Sequence, residues 1–311
     1  MPSASCKRFR DDDDEGNKDL RYEGKIYRPF SEANSYLLQC AIGCSHNQCT
    51  FCGMYKSVKY RVRETAEILE DIRRAKNYYG DVEKVFLCDG DAMAIETDTL
   101  LEIIAALRAA FPSLRHVATY VGPKSAILKT PGELQALSHA GLKKAYIGVE
   151  TGDDALLKKV KKGVGYDEML EAGQKLVEAD INLSAMVLLG LAGPGDASVR
   201  HALATAKICN EMKPQYLAAL TVTPVPGTVL FRQANSGEFQ MLDPFETLAE
   251  MKIIFENIMI DNLKFVGTHA SNYLPVTGTL QKDKPKMIAL VEQVLQGRDK
   301  RMLRPDELRG L

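Results

Sequence analysis

The sequence has no long hydrophobic run. Its longest strongly apolar stretch, residues 185–192, falls far short of the ~20 residues that cross a bilayer. No apolar segment follows the N-terminal methionine. The chain passes Lys7 and Arg8 and enters Asp11, Asp12, Asp13, Asp14 and Glu15, so no signal peptide is expected and a cytoplasmic location is. Charge of one sign is also missing. Lys and Arg number 40 against 41 Asp and Glu, a formal net charge of −1. That removes a global electrostatic case for nucleic acid or anionic membrane and leaves room only for a local basic groove. There is no internal repeat and no second C-x2-C pair.

What is present is an ordinary globular composition, 45% hydrophobic and 26% charged over 311 residues, enough to bury a core without staples. Seven cysteines stand at 6, 40, 44, 49, 52, 88 and 209, and four of them crowd into residues 40–52. An odd count clustered in this way is not a secreted disulfide framework; in a reducing compartment it points to metal or redox chemistry.

Residues 1–20 are acidic and nearly free of apolar side chains, and are expected to be disordered. Beyond them short apolar runs alternate with amphipathic stretches. Strands are predicted at 36–42, 84–88, 116–121, 144–149, 183–189 and 216–222. Helices are predicted after 65 and at 99–110, from Pro131 to Gly141, at 153–162, 167–179 and 197–212. Six β–α units of this kind imply parallel strands with helical crossovers, as a doubly wound sheet or as a full or partial barrel. Polar residues gather at the strand ends, where either architecture places its active site. After 240 the pattern changes to a helix at 245–259, a short strand at 264–266, a polar loop at 268–275 and a last helix at 284–296. This part, 241–311, reads as an extension or cap on a barrel of residues 21–240.

The segment Gly43-Cys44-Ser45-His46-Asn47-Gln48-Cys49-Thr50-Phe51-Cys52-Gly53 has C-x4-C-x2-C spacing. Thiolates are soft ligands suited to zinc, copper(I) or iron–sulfur clusters. A structural zinc site normally takes four ligands, and only His46, folding back, offers a fourth. A [4Fe–4S] cluster usually takes four cysteines; three would leave one iron open to a small molecule. Inert buried cysteines are the third reading. Cys40, inside the first strand, reads as structural, and Cys6, Cys88 and Cys209 are isolated.

Three clustered cysteines after the first strand, with Phe51 just before the third, resemble the radical S-adenosylmethionine (SAM) superfamily. The usual spacing there is C-x3-C-x2-C, so this loop carries one extra residue. Leu87-Cys88-Asp89-Gly90-Asp91-Ala92 resembles the Gly-Gly-Glu motif that holds the amino group of the methionine portion, with Asp91 in place of the glutamate and Asp89 in place of the first glycine. Ile147-Gly148-Val149-Glu150-Thr151-Gly152-Asp153-Asp154 with Lys161-Lys162-Gly163, Val187-Leu188-Leu189-Gly190-Leu191-Ala192-Gly193, and Thr223-Pro224-Val225-Pro226-Gly227-Thr228 resemble strand-end segments of the branch containing oxygen-independent coproporphyrinogen oxidase and the elongator-type enzymes. The cysteine loop with His269-Ala270-Ser271-Asn272-Tyr273-Leu274-Pro275 is similar to a bacterial group within the superfamily.

The resemblance implies an α/β fold, a partial parallel (β/α)6 TIM-like barrel with a C-terminal extension. It implies a [4Fe–4S] cluster on Cys44, Cys49 and Cys52, with SAM as second cofactor and Phe51 beside it. Asp89, Gly90 and Asp91 would hold the methionine end, Glu150 and Thr151 the ribose or methionine, and Gly190 and Gly193 would admit the adenosine. Asp91, Glu150 and His269 are the candidate catalytic residues. Glu150 equally suits a helix cap, and Tyr120 suits a core or rim position. His269, Asn272 and Tyr273 are expected in either a substrate lid or a structural loop. Lys158, Lys159, Lys161 and Lys162, like Lys56, Lys59, Arg61 and Arg63, read as a solvated basic face or as a contact for an anionic substrate. The implied partners are a small-molecule substrate and a one-electron donor such as flavodoxin or ferredoxin. Scattered cysteines argue against an auxiliary cluster for sulfur insertion, and no domain ahead of the barrel is seen for cobalamin. The reading from another class is a non-catalytic zinc- or iron–sulfur-binding interaction protein.

Overall fold

Strands built from β-branched, aromatic and aliphatic residues on both faces belong between two apolar layers. A computed structural model, which describes residues 20–310, shows where those layers are. The main sheet contains β1 (Tyr36–Gln39), β4 (Lys84–Cys88), β5 (His116–Val121), β6 (Leu142–Glu150), β7 (Asn182–Leu189), β8 (Tyr216–Thr221), β9 (Leu263–Gly267) and β10 (Val276–Leu280), side by side in that order. Each pair from β1 to β9 is parallel and β10 closes the edge antiparallel to β9. β1 and β10 lie at the two ends of the order, so the sheet is an open barrel.

The period of two decides which residues face each layer. Val85 and Leu87, Val117 and Val121, Ala145 and Ile147, and Val187 and Leu189 enter the large core. That core also takes the buried stripes of α1 (Thr65–Tyr79), α2 (Thr97–Ala110), α4 (Pro131–Ala140), α6 (Tyr166–Glu178), α7 (Asp196–Met212) and α9 (Pro244–Asn257). The alternate residues Phe86, Cys88, Ala118 and Tyr146 form a separate cluster inside the barrel, with Leu37, Tyr120 and Met186 against it. α4 opens at Pro131 and is followed by Gly141, as expected from sequence, and the structure adds a complete capping box between Thr130 and Glu133.

Some elements differ from expectation. The run 36–42 is two pieces, because the chain turns at Cys40, and β2 (Ala41–Ile42) pairs antiparallel with β3 (Arg61–Val62). This small ladder closes the base of the cysteine loop. The backbone N–H of Cys40 still donates to Cys88 O at 3.0 Å, and Arg63, buried against Asp71 at 2.8 Å, donates to Gln39 O. The short strand of the C-terminal part is β9, a seventh parallel strand in register with β8, so residues 241–311 continue the sheet. The helices α3 (Pro123–Leu128), α5 (Asp154–Lys159), α8 (Val229–Ser236) and α10 (Lys284–Gly297) complete the fold. Of these, α3, α8 and the strand β10 were not foreseen. α3 has only 6 residues, α8 hides in a segment rich in Pro and Gly, and Gly278 interrupts β10. The acidic tail expected at 1–20 lies, apart from Leu20, outside the described residues. Among the described residues no helix is long and apolar enough to cross a membrane.

Candidate active site

The cysteine loop leaves β2 at Gly43, whose φ of 82° turns the chain over the C-terminal ends of the parallel strands. Cys44, Cys49 and Cys52 are half-buried free thiols, whereas Cys40, Cys88 and Cys209 are buried in the fold. Cys40 is thus a core residue, as expected, although it sits at the turn between β1 and β2 rather than inside a strand. Asn47 shapes the extra turn of the loop. It adopts φ 43°, and its amide donates to Tyr55 O at 2.5 Å, beside the Val58 N–H on the same oxygen, and to Val58 O at 3.1 Å. Burial pushes the Cys49 thiol up to about 11 and raises Cys52 as well; nearby Lys162 pulls both back. The charges of Cys52 and Cys44 also bear on the Cys49 thiol, and that of Cys44 on Cys52.

Two aspartates at the end of β4 clamp the loop from one side. Asp89 Oδ2 accepts from the backbone N–H of Gly43 at 3.1 Å and from Gln39 Nε2 at 3.0 Å, and its Oδ1 meets Tyr55 Oη at 3.4 Å. Asp91 Oδ2 accepts from Ser45 Oγ and from Ser125 Oγ at 2.5 Å, and its Oδ1 from Gly122 N–H at 2.8 Å. Both carboxyls are raised by burial, against the donors that pull them down. Asp91 therefore ties the cysteine loop to the end of β5 with both oxygens engaged. Gly90 N–H donates to Gly43 O at 3.1 Å, which joins the same two segments through backbone.

The other side of the loop rests on α5 and the turn after it. Thr50 N–H donates to Val160 O at 2.9 Å, and His46 Nε2 lies 2.7 Å from Lys161 O. The imidazole of His46 occupies the space a Cβ would take at Gly163. Glu150, at φ 63° on the tip of β6, turns its carboxylate onto Lys162, Nζ to Oε1 2.7 Å, over Gly148, where a Cβ would strike both groups. Burial opposes a charge on Lys162, but Glu150 and the neighbouring Cys49 and Cys44 outweigh it and raise its pKa. Lys162 thus departs from the rest of its basic run. Lys158, Lys159 and Lys161 are exposed, while Lys162 is turned inward beside the cysteines. Phe51 packs on an apolar cluster of Leu156, Val160, Leu191, Val222, Leu230 and Phe239, which seats the loop on the barrel rim.

The remaining candidates lie close behind this face. Thr151 is buried, and its hydroxyl meets His201 Nδ1 at 2.7 Å. His201 Nε2 lies 3.1 Å from Leu188 O, an acceptor, so the proton sits on Nε2 and Thr151 donates to Nδ1. Glu250 of α9 accepts from Gly190 N–H at 2.6 Å and from Ser198 Oγ, and sits 3.5 Å from His201 Nε2. This network holds the ends of β6 and β7 together. Nothing in the local sequence pattern announces it. Gly190 and Gly193 both have φ 79° and form the turn after β7, closed by Gly193 N–H to Gly190 O at 3.2 Å. Tyr120 faces the barrel interior, edge-on to Phe86 at 5.1 Å.

The loop 268–275 reaches the same mouth beside the end of β8. Asn272 Oδ1 accepts from Thr221 Oγ1 at 2.9 Å, and its amide donates to Ala219 O and Gly267 O at 2.7 and 2.9 Å. Arg304 donates to the carbonyls of His269, Ala270 and Asn272, and Arg309 stacks on Tyr273 at 3.6 Å. Ser271 N–H donates to His269 Nδ1 at 3.1 Å, so the imidazole proton is on Nε2. Burial and the Arg304 charge lower the His269 pKa.

A parallel α/β barrel with a thiol-bearing loop clamped over its C-terminal mouth defines a class, and the comparisons agree with it. The radical SAM superfamily profile matches residues 38–206, and the chain belongs to that superfamily. Enzymes of that superfamily use a [4Fe–4S] cluster to cleave SAM. Comparison with curated proteins found no match. Among solved structures it is similar to the coproporphyrinogen III oxidase HemN from Escherichia coli, with 16% identity and a TM-score of 0.53 over 70% of this chain and 50% of that one. It is also similar to methylornithine synthase PylB, at 16% identity and TM-score 0.51, covering 73% of this chain and 63% of that chain. The elongator protein Elp3 of Methanocaldococcus infernus matches at 15% identity and TM-score 0.51, over 74% and 58%. These likenesses concern the fold, and the chain spans only 50% to 63% of the length of these proteins.

The donor set fits a [4Fe–4S] cluster. Three soft thiols from one loop lie beside the half-buried cation of Lys162. Among the described residues no three metal-binding side chains converge on a single point. A cubane does not require that, since each thiolate takes a different iron.

Proposed function

We propose that Cys44, Cys49 and Cys52 each ligate one iron, and that the enzyme takes hydrogen from a small-molecule substrate. A [4Fe–4S] cluster held there would supply, when reduced, the single electron that reductive cleavage of SAM and hydrogen abstraction need. The chain's own residues orient and enclose. Asp91 fixes the height of Ser45, and with it Cys44, above the strand ends. Asp89, whose Oδ1 has only the 3.4 Å contact with Tyr55, is the better placed of the two aspartates to meet an ammonium, with the Gly90 backbone beside it. Glu150 and Lys162 form a neutralised pair next to the cysteines, one able to accept hydrogen bonds from a ribose or ammonium and the other to donate to a carboxylate. Thr151 acts by holding the end of β6, through His201, rather than by touching a ligand. Phe51 and the apolar cluster beneath it keep water from the loop. His269, with its proton on Nε2, is the candidate donor on the substrate side of the mouth.

The observation that carries this reading is the trio of half-buried thiols on a loop clamped from both sides, with the half-buried Lys162 beside them. The test is anaerobic. Protein reconstituted with iron and sulfide is reduced with dithionite, given SAM, and assayed for 5′-deoxyadenosine by chromatography beside the triple cysteine variant. Cysteine-dependent 5′-deoxyadenosine is expected. Stoichiometric zinc in the isolated protein, with no uptake of iron, would overturn the reading in favour of a structural zinc protein. The reduced carrier in this reading is a flavodoxin or ferredoxin.

A further inference from the structure

The opposite pole of the barrel, at the N-terminal ends of the strands, carries a second polar group. Along β4, β5 and β6 the lumen-facing positions are those in step with Phe86, Ala118 and Tyr146. Lys84, His116 and Lys144 therefore share that inner face, one layer nearer the N-terminal end. Lys144 is only 8% exposed. Its Nζ lies over two rings, 4.6 Å from the centroid of Tyr146 and 3.8 Å from that of Tyr216 at the start of β8. Lys264 of β9, in register with Tyr216, places its Nζ 5.2 Å from the centroid of the same ring. The charges of Lys264 and Lys84 both bear on Lys144. Glu32, the carboxylate that offsets them, is already engaged. Its Oε1 accepts from Tyr146 Oη at 2.5 Å and lies 3.1 Å from His116 Nε2, and its Oε2 accepts from Ser35 Oγ at 2.6 Å.

Lys144 is unlike the other lysines. Exposed lysines without an ion pair are common on this surface and are simply solvated. Among the described residues only Lys129 and Lys144 are buried lysines. Lys129 Nζ donates to Ile95 O and Thr97 Oγ1 at 2.9 and 3.0 Å. Among the described residues Lys144 Nζ has neither a hydrogen-bond acceptor nor a carboxylate, only the two ring faces. An ammonium has three N–H donors, and rings do not satisfy them as oxygens would. Burial pulls the Lys144 pKa down to about 8, with Glu32 holding it up and the neighbouring lysines pressing it down.

We propose that the N-terminal pole of the barrel is an anion site, in which Lys84, Lys144 and Lys264 hold a phosphate, free or as the terminal group of a small molecule. Three ammonium groups against one carboxylate leave two positive charges. A doubly charged phosphate neutralises them, and a single carboxylate does not. The three lysines come from β4, β6 and β9, so they approach from different sides, as point-charge ligands of a compact tetrahedral ion do. Tyr216 lies against the ammonium groups of two of them. Glu32 would repel an anion, but its oxygens are turned to His116, Tyr146 and Ser35. The site is separate from the cysteine loop. It lies at the other end of the same strands, with Phe86, Ala118 and Tyr146 packed between. A nucleic acid fits less well, because Lys144 is buried within the strand ends, where a terminal phosphate reaches and a phosphodiester strand does not.

The test is titration calorimetry of inorganic phosphate, and separately of phenyl phosphate, into the full chain at constant ionic strength. The variants are Lys144→Gln and Lys264→Gln, with Lys282→Gln, on an exposed lysine elsewhere, as control. The wild type should give a saturable heat. Lys144→Gln and Lys264→Gln should each weaken binding by roughly tenfold, the loss of one charge-assisted hydrogen bond, and Lys282→Gln should leave it unchanged. Circular dichroism reports whether Lys144→Gln still folds. If it does not, Lys264→Gln decides, since Lys264 is exposed. Phenyl phosphate binding no tighter than phosphate supports a site for the free ion, and tighter binding supports a phosphorylated small molecule. Saturable binding of neither probe, or an affinity unchanged in Lys264→Gln, overturns the proposal. So does a labelled RNA that binds through Lys144 and Lys264 and is not displaced by phosphate.

Discussion

Two polar loops meet at the mouth of the barrel, and they treat their side chains in opposite ways. In 268–275 the polar groups turn into the protein: Asn272 engages its carbonyl and its amide, Ser271 takes the N–H of Thr221 at 3.0 Å, and Arg304 and Arg309 tie down the backbone. In the cysteine loop the clamping is done by Gly43, Ser45, His46, Asn47 and Thr50, and it leaves three thiols half-buried. The first loop carries its polar residues because a buried turn must satisfy itself. The second carries its thiols in spite of a fold that does not need them. Side chains that remain after a loop has satisfied its own backbone are the ones to ask about chemistry.

The largest effect should come from the residues the fold does not use. Cys49→Ala is expected to abolish iron uptake and 5′-deoxyadenosine formation while changing stability by less than about 1 kcal/mol, since no clamp passes through its side chain. Iron analysis and a denaturant titration of the apo protein check both halves. A variant that unfolds would mean the thiol belongs to the core after all. Asp91→Ala should do the reverse. It strands Ser45, Ser125 and the Gly122 N–H without an acceptor, so a stability loss of about 2–4 kcal/mol is expected, with reduced iron retention because the loop loses an anchor. Asn272→Ala, which leaves two backbone carbonyls and the Thr221 hydroxyl unpaired, should cost about 2–3 kcal/mol without affecting iron retention. Were Asn272→Ala to lose iron as readily as Asp91→Ala, the two loops would not be separable.

The sequence reveals the strands and the chemistry unevenly, for physical reasons. The bounds of β4 and β5 are fully readable, because each is a short apolar run, ended by Asp89-Gly90-Asp91 in one and by Gly122-Pro123 in the other, and a parallel strand is buried on both faces. The cysteine loop is readable because thiol spacing is local. Its clamps are not, since Asp91 meets Gly122 and Ser125, and Glu150 meets Lys162, only after the strands align. Gly148 and Gly163 were the available hints: each leaves out a Cβ where another side chain must lie. The basic run 158–162 shows the limit of composition. Its last member turns inward to Glu150 while Lys158, Lys159 and Lys161 stay in water, a division that depends on the left-handed turn at Lys161, φ 54°. The Glu250–His201 network was beyond reach, because its members lie on α9 and α7 and converge on the ends of β6 and β7.

That network offers the finest comparison, between two buried groups with opposite responses to pH. Burial raises Glu250 to about 7 and lowers His201 to about 4, so both are neutral between those values. For Glu250 the folded pKa lies above the unfolded one. Its contribution is complete below the unfolded value of about 4.3 and is lost as pH rises toward 7. For His201 the folded pKa lies below the unfolded one. Its contribution is complete above about 6.5 and is lost as pH falls toward 4. Over the shared window the two slopes oppose, and the wild type should show little net dependence from this pair. Glu250→Gln removes one slope while keeping an acceptor for Gly190 N–H. Stability should then rise with pH from about 4 to 6.5, at no more than about 1.4 kcal/mol per pH unit. His201→Gln should give the opposite sign, with stability falling as pH rises from about 4.3 to 7. Thermal melts across pH 4 to 7.5 on the apo protein, each variant referenced to wild type, read both slopes. Two variants that shift together in the same direction would show that Glu250 and His201 share one proton as an ion pair, and that the ends of β6 and β7 are joined by charge rather than by neutral hydrogen bonds.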